Sequence, residues 1–123
     1  IAGSSDWFDC GFITYSNASK TALVGVPATL ILQHGAVSEE VAAAMAEGAL
    51  ASSQAYVALS TTGIAGPGGA VPGKPVGTVC FGWAAKGRAT RTEQWVFDGD
   101  RHAVRQQTVA HALHGLMHFL EQA

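Results

Sequence analysis

Ala55-Tyr56-Val57-Ala58-Leu59 runs directly into Ser60-Thr61-Thr62-Gly63-Ile64-Ala65-Gly66-Pro67-Gly68-Gly69, and Lys74-Pro75-Val76-Gly77-Thr78 follows five residues later. The apolar pentapeptide reads as a buried strand. The stretch from Ser60 reads as a glycine-rich loop, whose backbone N–H groups can approach a ligand with no side chain in the way. Ligands of open α/β sheets bind at the carboxyl ends of strands, so this loop is where chemistry is expected.

Working outward, Gly11 to Tyr15 is short, aromatic and β-branched, the pattern of a strand. Ser16-Asn17 supplies N-cap chemistry for a helix from Ala18 to Val24 that Gly25 ends. Pro27 opens a short helix over Ala28–Gln33, stopped at His34-Gly35. Ser38 caps a helix to about Ser52, with Glu39 and Glu40 in its first turn and Val41, Met45 and Ala49 as a core-facing stripe. Strands are expected over Thr78–Ala84 and Thr90–Phe97, joined by a Lys86-Gly87 turn. Asp98-Gly99-Asp100 caps a last helix from Arg101 to about Leu120. One face of that helix carries Val109, Leu113, Leu116, Met117 and Leu120. The order β-α-α-α-β-β-β-α indicates a layered α/β domain with a mixed sheet.

The 123 residues are one domain's worth of chain, 48% of them hydrophobic and 13% charged. That composition fits a compact globule and argues against disorder. A formal charge of −2 without a Lys/Arg cluster argues against nucleic-acid and anionic-membrane partners. No apolar run approaches a membrane span, and no signal peptide is visible at Ile1-Ala2-Gly3-Ser4-Ser5. Cys10 and Cys80 form no CxxC pair and read as two reduced, buried thiols of a cytoplasmic protein.

Four constellations bear on function. His111, His114 and His118 share a helix face opposite the apolar stripe. Their spacing permits metal ligation, but no acidic residue supports it, and solvent or an oligomer contact is the favoured reading. The glycine loop has neither Rossmann nor Walker A spacing; it is a structural turn or a ligand loop with little to choose between them. Lys20 lies one turn into a helix that begins at the end of a strand. A lysine drawn back there loses solvent and gains the lowered pKa of a general base; the plainer reading is a solvated surface lysine. Arg101 opens a helix where a phosphate sits well, or is simply an exposed residue beside a cap.

Taken together, these pieces resemble the CinA C-terminal domain family. The resemblance is carried by Ile1-Ala2-Gly3-Ser4-Ser5 with Trp7-Phe8, and by Gly11-Phe12, Thr14-Tyr15-Ser16-Asn17 and Lys20. It continues through Gly25-Val26, His34-Gly35-Ala36-Val37-Ser38-Glu39, Thr62-Gly63-Ile64-Ala65-Gly66-Pro67, Lys74-Pro75-Val76-Gly77-Thr78-Val79 and Gly99-Asp100-Arg101. The family includes nicotinamide mononucleotide (NMN) amidohydrolases of pyridine-nucleotide salvage and NAD metabolism. They hydrolyse the NMN carboxamide to nicotinate mononucleotide and ammonia with a lysine-activated serine and no metal or organic cofactor. The resemblance implies Lys20 as general base and Tyr15 as a helper near the nucleophile. It implies substrate contacts from Ser5, Thr62, Gly63 and Arg101. It also implies a three-layer α/β/α domain and, by the unpaired sheet edge, a homo-oligomer.

One departure matters. The family's nucleophile lies in an E-S-x-T-G-G motif upstream of the segment equivalent to Ile1, and these 123 residues contain no such motif. The expectation is an N-terminally shortened domain that lacks the first helix and strand and is inactive alone. The alternative is a non-catalytic nucleotide-binding or regulatory module, since the domain also occurs in longer competence-damage-inducible proteins.

Overall fold

The computed structural model describes residues 1–122. After a 3-10 turn at Ser4–Asp6, three helices follow: α1 (Asn17–Val24), α2 (Ala28–His34) and α3 (Glu39–Ala51). Strands β1 (Val57–Gly63), β2 (Thr78–Ala85) and β3 (Arg91–Val96) then precede α4 (Arg101–Glu121). The strands form one sheet in the order β1-β2-β3. Both pairings are antiparallel, with Thr61 opposite Phe81 and Phe81 opposite Glu93. The α/β class is as expected, but the sheet is antiparallel throughout rather than mixed.

The reason is Gly11–Tyr15. The expected first strand is a segment without regular structure outside the sheet, with Ile13 and Tyr15 exposed. Its neighbour in space is a groove rather than a strand, so its backbone has no ladder to join. β1 also differs from expectation. It continues through Ser60-Thr61-Thr62 to Gly63, taking in the start of the presumed loop, and it is a half-buried edge strand.

Local chemistry explains the helix ends. Ser16 and Ser19 form a reciprocal capping box at the start of α1, each side chain bonding the other's backbone N–H at 3.1 Å. Gly25 closes that helix in the left-handed conformation that a side chain disfavours. Ser38 and Asp100 cap α3 and α4 by accepting from Val41 N and Ala103 N.

Alternation along the strands divides the core between two layers of helix. One face, with Ser60 and Gly82, meets α3, where Ser60 Oγ donates to the Ala42 carbonyl. Behind α3 lies an apolar cluster of Val24, Val26, Ile31 and Val41, with Met45 and Ala49 packed against it. Thr92 of β3 and Thr90 just before it donate to Glu39 and Glu47 of the same helix. The other face carries Val79, Phe81 and Trp83, which pack on Val104, Ala112 and Phe119 of α4. Trp83 is fully buried, and its indole N–H donates to the Ala112 carbonyl at 3.0 Å.

Of the apolar stripe expected on α4, Leu116 packs against this core and the other four residues do not face it. Val109, Leu113, Met117 and Leu120 are each at least half exposed, while Val104, Ala112 and Phe119 are buried. Nor do the histidines share one environment. His111 turns inward between Phe81 and Trp95, with both ring centroids 4.7 Å away, and pairs with Glu93 at 2.9 Å. His118 pairs with Gln122. Cys80 is buried but Cys10 is exposed, against the expectation of two buried thiols. Among the described residues no helix is long and apolar enough to cross a membrane.

Candidate active site

A groove of about 710 Å³ runs between the segment Trp7–Tyr15 and β1, lined also by Met45 and Ala49 of α3 and by Leu113 and Leu116 of α4. Val57–Thr61 lines it with the strand edge that has no sheet partner among the described residues.

Lys20 stands behind the outer wall of this groove. The capping box fixes the start of α1 and places Lys20 one turn in, where the residue is only 6% exposed. Its ammonium donates to the Thr14 carbonyl at 2.9 Å, and Thr14 lines the groove. No carboxylate contributes, and burial alone pushes its pKa below the usual lysine value of 10.5. Desolvation disfavours the charged amine, so more of the neutral, proton-accepting form is present at a given pH. Tyr15, the next residue, also lines the groove, and it is 91% exposed.

Thr62 and Gly63 lie at the far end of β1. Thr62 is buried and donates its hydroxyl proton to the Ala36 carbonyl at 2.8 Å. Gly63 is set by packing: a Cβ there would lie 2.8 Å from Val79 Cγ2 and 3.0 Å from the Thr78 carbonyl oxygen. Beyond it the loop is pinned at its base by Ile64 N to Thr78 O (2.9 Å) and Gly77 N to Ile64 O (2.7 Å). Arg101, the first residue of α4, donates from Nη1 to the Gly66 carbonyl at 2.9 Å. Its guanidinium therefore ties the loop to the helix. Ser5 is exposed on the 3-10 turn and does not line the groove.

The six expected residues thus fall into separate groups. Lys20 and Tyr15 belong to the outer wall of the groove; Thr62, Gly63 and Arg101 belong to the loop end of the sheet; Ser5 belongs to neither. Of the groove-lining hydroxyls, Ser60 and Ser53 donate to the carbonyls of Ala42 and Ala49; away from the groove, Thr62, Ser38 and Thr78 donate to those of Ala36, Gly35 and Pro75. Two features escaped the sequence reading. The turn after α2 accepts from both Thr62 and Lys74, and the His111–Glu93 pair anchors α4 to β3. The first had a signal in the His34–Glu39 stretch quoted above; the second had none, because spacing along one helix does not reveal a partner on a strand.

Comparison with known proteins agrees with this architecture. The chain is 53% identical over 117 residues to "Nicotinamide-nucleotide amidohydrolase PncC" of Pseudomonas putida, spanning 95% of this chain and 72% of that protein. It is 51% identical to the Escherichia coli K12 protein of the same name, spanning 70% of it. A "Putative competence-damage inducible protein" of Symbiobacterium thermophilum is 51% identical, but the match takes in only 28% of that longer protein. Among solved structures, the competence/damage inducible protein CihA from Agrobacterium tumefaciens superposes with a TM-score of 0.91 at 42% identity, covering 95% of this chain and 72% of that one. The competence damage-inducible protein A (ComA) from Klebsiella pneumoniae gives 0.94 at 35% identity, covering 99% and 75%. The model of the CinA C-terminal domain matches residues 1–120, and the chain belongs to that family.

Proposed function

We propose that residues 1–123 are a single CinA C-terminal domain that carries the general base and most of the substrate pocket of a nicotinamide-nucleotide amidohydrolase. The observation that carries this reading is Lys20: a buried amine, held 2.9 Å from the carbonyl of a groove-lining residue, with its pKa lowered by burial.

The chemistry follows from that amine. Neutral Lys20 Nζ takes the proton of a serine hydroxyl as its oxygen attacks the carboxamide carbon of NMN. The C–N bond then breaks, and the nitrogen leaves as ammonia with the proton returned from Lys20. Water hydrolyses the resulting ester to give nicotinate mononucleotide and regenerate the serine. Tyr15 assists at the nucleophile. Ser5, Thr62 and Gly63 contact the substrate, with loop amides stabilising the oxyanion. Arg101 serves the nucleotide end. The reaction belongs to the cytoplasm and to a homo-oligomer.

The serine itself comes from outside these 123 residues. Two observations support this: the groove-lining serines, Ser53 and Ser60, both donate to backbone carbonyls, and more than a quarter of the P. putida relative lies outside the match. The test is ammonia release from NMN by the 123-residue chain and by a chimera joining it to the remaining residues of that relative. The chain alone is expected to be inert and the chimera active. Turnover by the chain alone would refute the external serine. NMN binding by the chimera without hydrolysis would favour a nucleotide-binding module, the reading that the engaged hydroxyls also suit.

A further inference from the structure

Lys74 sits at the mouth of the glycine loop, in a tight turn closed by Val71 N to Lys74 O (3.1 Å) and Lys74 N to Val71 O (2.9 Å). Its half-buried ammonium crosses to the turn after α2 and donates to the His34 carbonyl at 3.1 Å. Two residues further along that turn, the Ala36 carbonyl accepts from Thr62 at 2.8 Å. Between them lies Gly35, with φ 81° and ψ 156°, a conformation essentially restricted to glycine. A Cβ on Gly35 would lie 3.4 Å from Lys74 Nζ. The turn is further braced from within, because Ser38 Oγ donates to the Gly35 carbonyl at 2.8 Å.

An unusual backbone conformation persists only where its surroundings over-determine it. Here the surroundings are the end of β1, through Thr62, and the loop, through Lys74. Among the described residues the loop's other ties lie at Ile64, Gly66 and Gly77, and at Pro75, whose carbonyl accepts from Thr78 within the sheet rather than from a helix. Lys74 is thus the side chain that fastens its far limb to the helical layer.

We propose that Lys74 is a positioning residue for amide hydrolysis: it latches the glycine loop to the His34–Ser38 turn and so fixes Thr62 and Gly63 for substrate. This rests on the amidohydrolase reading, which makes those two residues substrate contacts. A charge-assisted bond of this kind, once lost, shifts a local opening equilibrium by about tenfold or more.

The test compares wild type with Lys74→Met and Lys74→Arg. In the 123-residue chain, hydrogen exchange of residues 64–77 and 34–38 is expected to quicken together by about tenfold in Lys74→Met. Exchange in β2 should be unchanged, and Lys74→Arg should restore protection. In the chimera, Lys74→Met is expected to raise KM for NMN about tenfold without moving the pH dependence of kcat, and Lys74→Arg to recover most of the loss. Unchanged exchange in Lys74→Met, or quickening in only one segment, would overturn the latch. Normal KM in an active chimera carrying Lys74→Met would overturn the positioning role. A wild-type chimera without turnover would count against the amidohydrolase reading instead, leaving exchange to decide the latch. If Lys74→Met does not fold, Lys74→Gln, which keeps a donor but no charge, is held to the same outcomes.

Discussion

Gly82 is where α3 lies directly on the sheet, and replacing it with alanine has a calculable cost. A Cβ there would lie 2.5 Å from the Ala42 carbonyl oxygen and 2.7 Å from Ser60 Oγ, the two atoms of a buried hydrogen bond. Backbone on one side and a short, fixed hydroxyl on the other leave no flexible neighbour to move. Overpacking of this kind costs about 1–3 kcal/mol. Disturbing the Ser60–Ala42 bond adds about 1 kcal/mol, for a total of about 2–4 kcal/mol. An unfolding entropy of about 2.1 cal/mol/K per residue converts each kcal/mol into about 4 °C for a chain of this length. Gly82→Ala should therefore lower the melting temperature by roughly 8–15 °C. Urea unfolding followed by tryptophan fluorescence measures the same difference as a shift in midpoint at unchanged slope. Gly68→Ala is the control: nothing lies within 4 Å of a Cβ there, and its effect should stay within about 0.5 kcal/mol. If Gly82→Ala matches that control, the close contact between α3 and β2 is refuted, and with it the layered arrangement that carries the groove.

Two further predictions concern α4. Trp83→Phe removes the indole donor to the Ala112 carbonyl and should cost about 1–2 kcal/mol in urea unfolding. Glu93 loses hydration on burial, which raises its pKa. Hydrogen bonds from Trp95 and His111 and the charges of His111 and Arg91 outweigh this, leaving the pKa below the ordinary 4.5. A carboxyl with a depressed folded-state pKa stabilises the fold above its unfolded pKa and loses that contribution as pH falls through the folded value. The stability lead of wild type over Glu93→Gln should therefore be full near neutrality and close as pH drops below 4.5; a lead that widens in acid would contradict the pairing.

Much of the fold was legible because its signals are local. Ser16, Gly25, Ser38 and Asp100 end helices by hydrogen bonds and dihedral preferences that a short window reveals. Gly11–Tyr15 was misread for the converse reason: β propensity says that a segment will extend, not that a strand will be present to pair with it. The face of α4 was misassigned because its stripe of Val109, Leu113 and Met117 has the periodicity of a core face, yet Trp83 and Phe81 select the side bearing His111 and Ala112. Lys20 was visible as a candidate, but its burial depends on Thr14 folding back over it, a contact that sequence spacing permits without requiring. Thr62 and Arg101 were identified by type. That both donate to backbone carbonyls, Ala36 and Gly66, emerges only when loop, turn and helix meet in three dimensions.

The central claim is that Lys20 is the base of an NMN-hydrolysing site, and the pH dependence of kcat/KM for NMN tests it most directly. With the chimera, activity should rise as Lys20 loses its proton, with an inflection below the ordinary lysine value of 10.5. Lys20→Met should lower kcat by about 100-fold or more and abolish that limb, while the variant still melts cooperatively. Full turnover by Lys20→Met with an unchanged profile would contradict the account.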